Sequence, residues 1–324
     1  MTTTLVLAET DEAGLAPLSA QAVTLARSIG ADVAAVLVGP YPGSTVDQLG
    51  ELGVTRIHHV DDARLERFAA AAWAAGLAQV AAAVGADAVV AAGSPRGNEV
   101  LAHLAARLDV PMAAQAVAAV PGAAGQPWRL TRQLMGGAAL EDVTVAASPV
   151  VLTVAAHAVP AEPAAAPTQP EVRSGQPELS EADLVAQVQA VESGGGGGAD
   201  LAAARVVVGG GRGVGGPEGF GELIELADLL GGTIGVSRVV TSQGWRPHHE
   251  QVGQTGTKIA PDLYVACGIS GAIQHWAGCQ SAKTILAINT DADAPMVTRA
   301  DYAVVGDLHQ VVPAVIAEIR RRSA

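Results

Sequence analysis

Lysine is nearly missing from this chain: among its 324 residues only Lys258 and Lys283 carry an ammonium group. Any enzyme reading that needs a lysine nucleophile is therefore confined to those two positions. Charged residues of either sign make up only 16%, and the net charge is −13. An acidic balance excludes nucleic acid or an anionic membrane surface as the main partner, although it leaves room for a local basic pocket. Cysteine is scarce too. Cys267 and Cys279 are the only two, twelve apart, with no CxxC spacing and no histidine-rich context. They read as small buried hydrophobes in a cytoplasmic protein.

Other signatures are absent as well. The opening MTTTLVLAE has no basic segment and no long apolar core, so it reads as a first strand and not as a secretion signal. The most apolar stretch, residues 68–93, is dominated by alanine and broken by Gly76, Gln79, Gly85 and Asp87, which favours a helix and a strand over a membrane span. The chain holds no GxSxG elbow, no HExxH, no P-loop lysine and no paired cysteine ligands. His58–His59 and His248–His249 are adjacent pairs whose side chains point apart on extended chain, so no metal site is expected from them.

What is present is hydrophobic residue, 49% of the chain and mostly Ala and Val, arranged in alternation. Short apolar runs at 2–9, 31–38, 53–60 and 87–92 read as strands. Helical periodicity fills 17–29, 61–84 and 99–108. The stretch between Pro40 and Gly53 looks turn-rich. Strand and helix in turn predict an α/β domain with a mostly parallel sheet. From Trp128 to Ala156 the helical period disappears, and antiparallel or mixed strands at one side of the sheet are expected. A Pro-rich stretch after 157 and the glycine run 194–198 mark a flexible region around a short helical piece at 181–191. The domain boundary is placed at 204.

Residues 205–324 restart the alternation and predict a second α/β domain, a doubly wound, mostly parallel sheet of the dinucleotide-binding, Rossmann-like kind. Its strands are expected at 205–208, 233–237, 263–267, 283–289 and 302–305, with helices at 220–230 and 310–322. The stretch PDLYVACGISGAIQHWAGC is the most informative. Leu263–Cys267 is apolar, Gly268 ends it, and Ser270 stands at the expected N-cap of a helix over 271–278. Such a strand–helix junction presents free N–H groups to an anion. Upstream, Gly211, Gly213 and Gly216 fit GxGxxG spacing after a strand. The acidic residue that an NAD site needs about twenty positions later is replaced by Ser237 and Arg238, so Arg212 and Arg238 point to a bound anion or an electron-rich ring. Gln251–Thr255 is rich in hydrogen-bonding side chains without a nucleophile beside it, which suits binding more than bond-making. Asp291, Asp293 and Asp301 read as a solvated turn.

In order and separation, GGRG, SR, QVGQTG, GISGAIQH, AIN and DYAVVGDL resemble the alpha subunit of electron transfer flavoprotein. LVLAE, GSPRGNEVLAHLAARLDVP and the region around PVVLTV resemble that subunit's first domain. The resemblance implies one FAD, held mainly by the second domain, and a beta subunit completing a heterodimer. It implies that Arg212 and Ser237 contact the dinucleotide and that Val252, Gly253, Gln254 and Thr255 line the flavin and ribityl region. Ser270, Gly271, Ala272, Ile273, Gln274 and His275 would wrap the pyrophosphate and ring edge. Asn289, Asp307 and Leu308 would hold the adenosine end, and Arg238 would lie against the isoalloxazine. Arg238, Thr255 and His275 are the expected redox-tuning groups, because a cation or hydrogen-bond donor near N1 and O2 stabilises reduced flavin. The family usually has Lys directly after TG, whereas here Thr257 precedes Lys258.

An electron carrier is thus implied, taking electrons from flavin dehydrogenases such as acyl-CoA dehydrogenases and passing them to a membrane quinone reductase, with no substrate chemistry of its own. Two alternatives stay open at this point: an NAD-using enzyme of deoxyhypusine-synthase-like fold, and a non-redox nucleotide-binding regulator.

Overall fold

A computed structural model describes residues 2–30, 32–123, 125–190, 201–202 and 204–323. The chain divides into two units, Met1–Leu134 with Ala139–Glu192, and Met135–Ala138 with Ser193–Ala324.

In the first unit the chain runs β1 (Thr3–Leu7), a small hairpin of β2 (Thr10–Asp11) and β3 (Gly14–Leu15), α1 (Pro17–Ile29) and β4 (Asp32–Val38). It continues through α2 (Ser44–Glu51), β5 (Arg56–Val60), α3 (Ala70–Val84), β6 (Ala88–Ala92) and α4 (Pro95–Leu108). Strands β7 (Met112–Val120), β8 (Trp128–Leu134), β9 (Ala139–Val145), β10 (Val150–Val154) and β11 (Glu171–Gly175) complete it. Nine strands form one sheet in the order β11-β5-β4-β1-β6-β10-β7-β8-β9. All neighbours are parallel except β7-β8 and β8-β9. The period-two rule sorts the side chains. Val6, Val33, Ala35 and Leu37 face one apolar layer with α1, while Leu5, Leu7, Ala34 and Val36 face the other with α3 and α4.

Several sequence expectations change here. The turn-rich patch holds a helix, α2, whose Thr45 and Leu49 are buried. The long helix expected from Asp61 begins only at Ala70. A short 3-10 turn, Ala63–Leu65, with the Asp62 side chain accepting from the Arg64 N–H, takes the first part. Helix α4 starts at Pro95, four residues before the expected start, because the Ser94 hydroxyl caps it by accepting from the Gly97 N–H at 2.8 Å. Antiparallel strands do lie at one side, but β10 is parallel and sits inside the sheet.

The Pro-rich stretch is not a loose tether where the structure describes it. The Ala164 and Thr168 N–H groups donate to Glu51 and Gly50, the Glu162 N–H donates to Thr24 Oγ1, and β11 pairs with β5. Proline removes donors, but the intervening residues keep theirs, and carbonyls of α2, a hydroxyl of α1 and the β5 edge offer them partners. The helical piece shrinks to a 3-10 turn, Glu181–Leu184, held by the Ser180–Asp183 capping box and an Arg107–Asp183 ion pair. The glycine run 194–198 lies outside the described residues.

The second unit runs β12 (Val206–Gly210), α5 (Gly221–Leu229), β13 (Thr233–Val236), α6 (Arg238–Ser242), β14 (Leu263–Cys267), α7 (Ile273–Cys279), β15 (Ile285–Asn289), α8 (Pro295–Arg299), β16 (Tyr302–Val305) and α9 (Leu308–Ser323). Its five strands are parallel, in the order β13-β12-β14-β15-β16. From β12 the chain first adds a strand on one side and then crosses to the other. A switch point therefore lies between β12 and β14, the place where open α/β sheets bind ligands. Cys267 belongs to the apolar layer with Phe220 and Val312, and Cys279 to the opposite layer with Tyr264 and Met296. Both are free and buried, and burial pushes each thiol up to about 12. No helix among the described residues is long and apolar enough to cross a membrane.

Candidate functional site

At the switch point two loops meet backbone to backbone. The Gly211 N–H donates to Cys267 O at 2.9 Å and the Gly213 N–H to Gly268 O at 3.0 Å. A Cβ on Gly213 would stand 2.7 Å from Gly268 Cα, and Gly268 has φ +62°. The glycines of this loop thus bring β12 and β14 exits together. They do not open a fingerprint helix: the loop coils through two 3-10 turns, and α5 begins only at Gly221.

The converging loops enclose a cavity of about 630 Å³, within the usual range for small-molecule and cofactor sites. Arg212 and Gly213 reach it from β12, and Ser237, Arg238 and Val239 from β13 and the start of α6. From the end of β14 to the start of α7 come Gly268, Ile269, Ser270, Ala272, Gln274 and His275, and from the end of β15 and the loop after it come Asn289, Asp291 and Ala294.

Its chemistry favours an anion. Arg212 and Arg238 face one carboxylate, Asp291, and among the described residues neither arginine forms a salt bridge. The Ser237 hydroxyl is buried without a hydrogen-bond partner, although it lines the cavity. A buried hydroxyl left unpaired costs about 1–3 kcal/mol, so its place on the wall suits a ligand oxygen.

Eight of the residues singled out in the sequence therefore share one wall: Arg212, Ser237, Arg238, Ser270, Ala272, Gln274, His275 and Asn289. The other eight do not line the cavity. Val252, Gly253, Gln254 and Thr255 belong to a loop joined to α7, with the Gln254 N–H donating to Gln274 O at 2.7 Å. Gly271 is packed under α8, Ile273 is exposed, Asp307 accepts from the His309 N–H at the start of α9, and Leu308 is in the core. Asn289 spends its side chain on the protein itself, donating to Ile269 O and accepting from the Asp291 N–H.

The expected N-cap is displaced. Helix α7 starts at Ile273, and Ser270 makes no cap. Gly271 adopts φ +81° against Met296, whose N–H takes Ser270 O at 3.1 Å, and this turn delays the helix.

Gln251 belongs to the polar loop but carries a role that its spacing does not reveal. Its amide donates to Thr255 Oγ1 at 3.0 Å and accepts from Thr241 Oγ1 at 2.7 Å, while only 2% exposed. It pins the loop to α6. Gln251→Ala is expected to cost about 1–3 kcal/mol and to raise amide hydrogen exchange across residues 251–257. Unchanged exchange in that loop would show that the pin is dispensable.

His275 is the buried titratable group of the wall. Burial lowers its pKa from 6.5 to about 4, and the backbone of Val252 offsets part of that shift. The folded ring binds a proton less readily than the unfolded chain. The stability it contributes is therefore complete above about pH 6.5 and is lost as pH falls toward 4. Urea unfolding should show a decline on the order of 2–3 kcal/mol across this window, shallower in His275→Asn. Equal slopes would remove His275 from the account.

A doubly wound unit with a basic, hydroxyl-lined cavity at its switch point defines a nucleotide-cofactor-binding α/β protein. Residues 200–280 match the electron transfer flavoprotein FAD-binding domain, and residues 4–186 match the electron transfer flavoprotein domain. The chain is 40% identical to an electron transfer flavoprotein subunit alpha of Mycobacterium tuberculosis (strain CDC 1551 / Oshkosh), over 99% of both chains. It is 33% identical to the subunit alpha of Bacillus subtilis (strain 168), over 98% of this chain and 97% of that one. The chain belongs to the electron transfer flavoprotein alpha subunit family. The second unit carries that family's FAD-binding domain, while Asn289, Asp307 and Leu308 lie beyond the stretch matched to it.

Proposed function

We propose that this chain is the FAD-binding subunit of a cytoplasmic heterodimer with an electron transfer flavoprotein beta subunit. It accepts electrons from flavin dehydrogenases, such as acyl-CoA dehydrogenases, and passes them to a membrane quinone reductase without substrate chemistry of its own. The observation that carries the cofactor assignment is the cavity at the switch point, where Arg212, Arg238 and the unpaired Ser237 hydroxyl converge. Bound FAD would supply reversible electron transfer.

The chain's part is to hold and tune. Arg212 and Ser237 suit the anionic dinucleotide, and Arg238 keeps its charge at any working pH. The loop 251–257 and the start of α7, joined through Gln254 and Gln274, would close one side of the ligand. Among the described residues no group of three His, Cys, Asp or Glu could hold a metal ion. An NAD-using lysine enzyme finds little support: Lys283 pairs with Asp262, and neither Lys283 nor Lys258 lines the cavity.

Co-expression with the beta subunit, followed by a visible spectrum and identification of the released cofactor, tests the reading. A yellow protein releasing FAD supports it; a colourless protein, or one releasing NAD, overturns it.

A further inference from the structure

At the cavity wall His275 forms a buried pair with Tyr264, which does not line the cavity. Tyr264 is 0% exposed and His275 7%. The phenol oxygen lies 2.8 Å from His275 Nε2, and the two rings stack with centroids 6.1 Å apart. Tyr264 is the largest of the fully buried side chains. It is housed because the neighbouring strand has glycine at position 209, where a Cβ would meet the phenol oxygen at 2.4 Å. A phenylalanine would fill the same apolar space without the hydroxyl. What the hydroxyl adds is its bond to His275.

That bond has a direction. Burial raises the Tyr264 pKa well above 10, so the phenol keeps its proton. The titratable groups beside it, Cys267 and Cys279, stay neutral thiols at working pH. Among the described residues the phenol has no other hydrogen-bond partner than His275. If Nε2 carried the ring proton, the phenol hydrogen would be left unpaired in a dry interior, at a cost of about 1–3 kcal/mol. On the other side of the ring, Nδ1 is buried, and the Val252 backbone beside the imidazole favours its protonated form. A neutral imidazole has one donor and one acceptor, and the partner of one nitrogen decides the role of the other.

We propose that Tyr264 is a positioning residue for His275: by donating to Nε2 it locks the imidazole in the Nδ1–H form, so that the ring's only donor lies on the nitrogen turned away from the phenol. The histidine then acts as a fixed, neutral hydrogen-bond donor, and it cannot serve as a proton-accepting base through Nε2. This rests on the reading of the cavity as the FAD site only for what the donor addresses. The lock itself is a property of the protein.

The test uses the heterodimer with histidine labelled in 15N, and His275 assigned by its loss in His275→Asn. In the wild-type protein Nδ1 should show the shift of a protonated nitrogen and Nε2 that of an unprotonated one, unchanged between pH 8 and pH 6. A protonated Nε2 with a bare Nδ1 would overturn the proposal before any variant is made. In Tyr264→Phe the two signals should move toward the average of exchanging tautomers, with the thermal transition still cooperative. Retention of the wild-type shifts in that variant would overturn the lock.

The cofactor is a separate readout. In the loaded heterodimer Tyr264→Phe and His275→Asn should both shift the flavin absorption maximum and potential in the same direction. If Tyr264→Phe releases the tautomer while both variants leave the flavin untouched, the lock stands and the reading of His275 as a flavin neighbour fails.

Discussion

Replacing Arg212 and Arg238 together by alanine should leave a folded chain that no longer retains FAD. Both arginines line the cavity and neither forms a salt bridge within the described residues, so the folded protein loses no ion pair with them. Surface substitutions of this kind stay within about 0.5 kcal/mol of wild type. The ligand loses more. Charge-assisted hydrogen bonds to phosphate oxygens are worth about 1.5–3 kcal/mol each. Losing one such bond from Arg212 and the cation against the ring from Arg238 should weaken FAD binding by a factor on the order of 100. A fluorescence titration of the apo-heterodimer with FAD reads this directly, and the wild-type affinity should fall with added salt more steeply than the variant's. Equal affinities, or an unfolded double variant, would count against the cavity as the cofactor site. The single change Arg238→Ala separates holding from tuning, because loss of a cation beside the ring should lower the flavin potential.

Gly268→Ala should damage stability and cofactor content together. The residue sits at φ +62°, and its added methyl would meet Gly213 Cα at 2.7 Å and Leu308 Cδ2 at 2.9 Å. Left-handed backbone strain and overpacking each cost about 1–3 kcal/mol, so a loss of about 2–4 kcal/mol is expected. Gly213→Ala creates the same collision from the other loop, without a positive φ, and should cost less. Urea midpoints should rank wild type, Gly213→Ala and Gly268→Ala in falling order, with flavin per heterodimer following. If both variants match wild type in stability and flavin, the close approach of the two loops is not what shapes the cavity.

The legible parts of the sequence were those in which one segment carries its own signal. Leu263–Cys267 and Pro17–Ile29 are found where periodicity puts them, because an apolar run between a turn and a glycine leaves little choice. Helix α2 was hidden inside a stretch that looked turn-rich; its Gly50 is there because the Thr168 carbonyl and Pro170 pack against it. The start of α7 was misplaced for a similar reason. Ser270 is a good cap by composition, but its carbonyl belongs to Met296, far along the chain. The polar loop Gln251–Thr255 drew notice for its hydrogen-bonding side chains, yet Gln251, the residue that fixes it, has partners in α6 that no local pattern announces.

By itself the sequence determined the fold class, two α/β units with a doubly wound second one, and the family through GISGAIQH and QVGQTG. Both depend on short-range patterns of side-chain size and spacing. Only the tertiary structure decided which polar residues share a wall. It set Arg212, Ser237, Arg238 and His275 around one cavity, turned Asn289 inward to brace two loops, and put Asp307 and Leu308 elsewhere. It also paired Tyr264 with His275, eleven positions apart and on different elements. Such placements follow from where parallel strands end and which loops their order brings together, and a linear pattern contains no term for strand order.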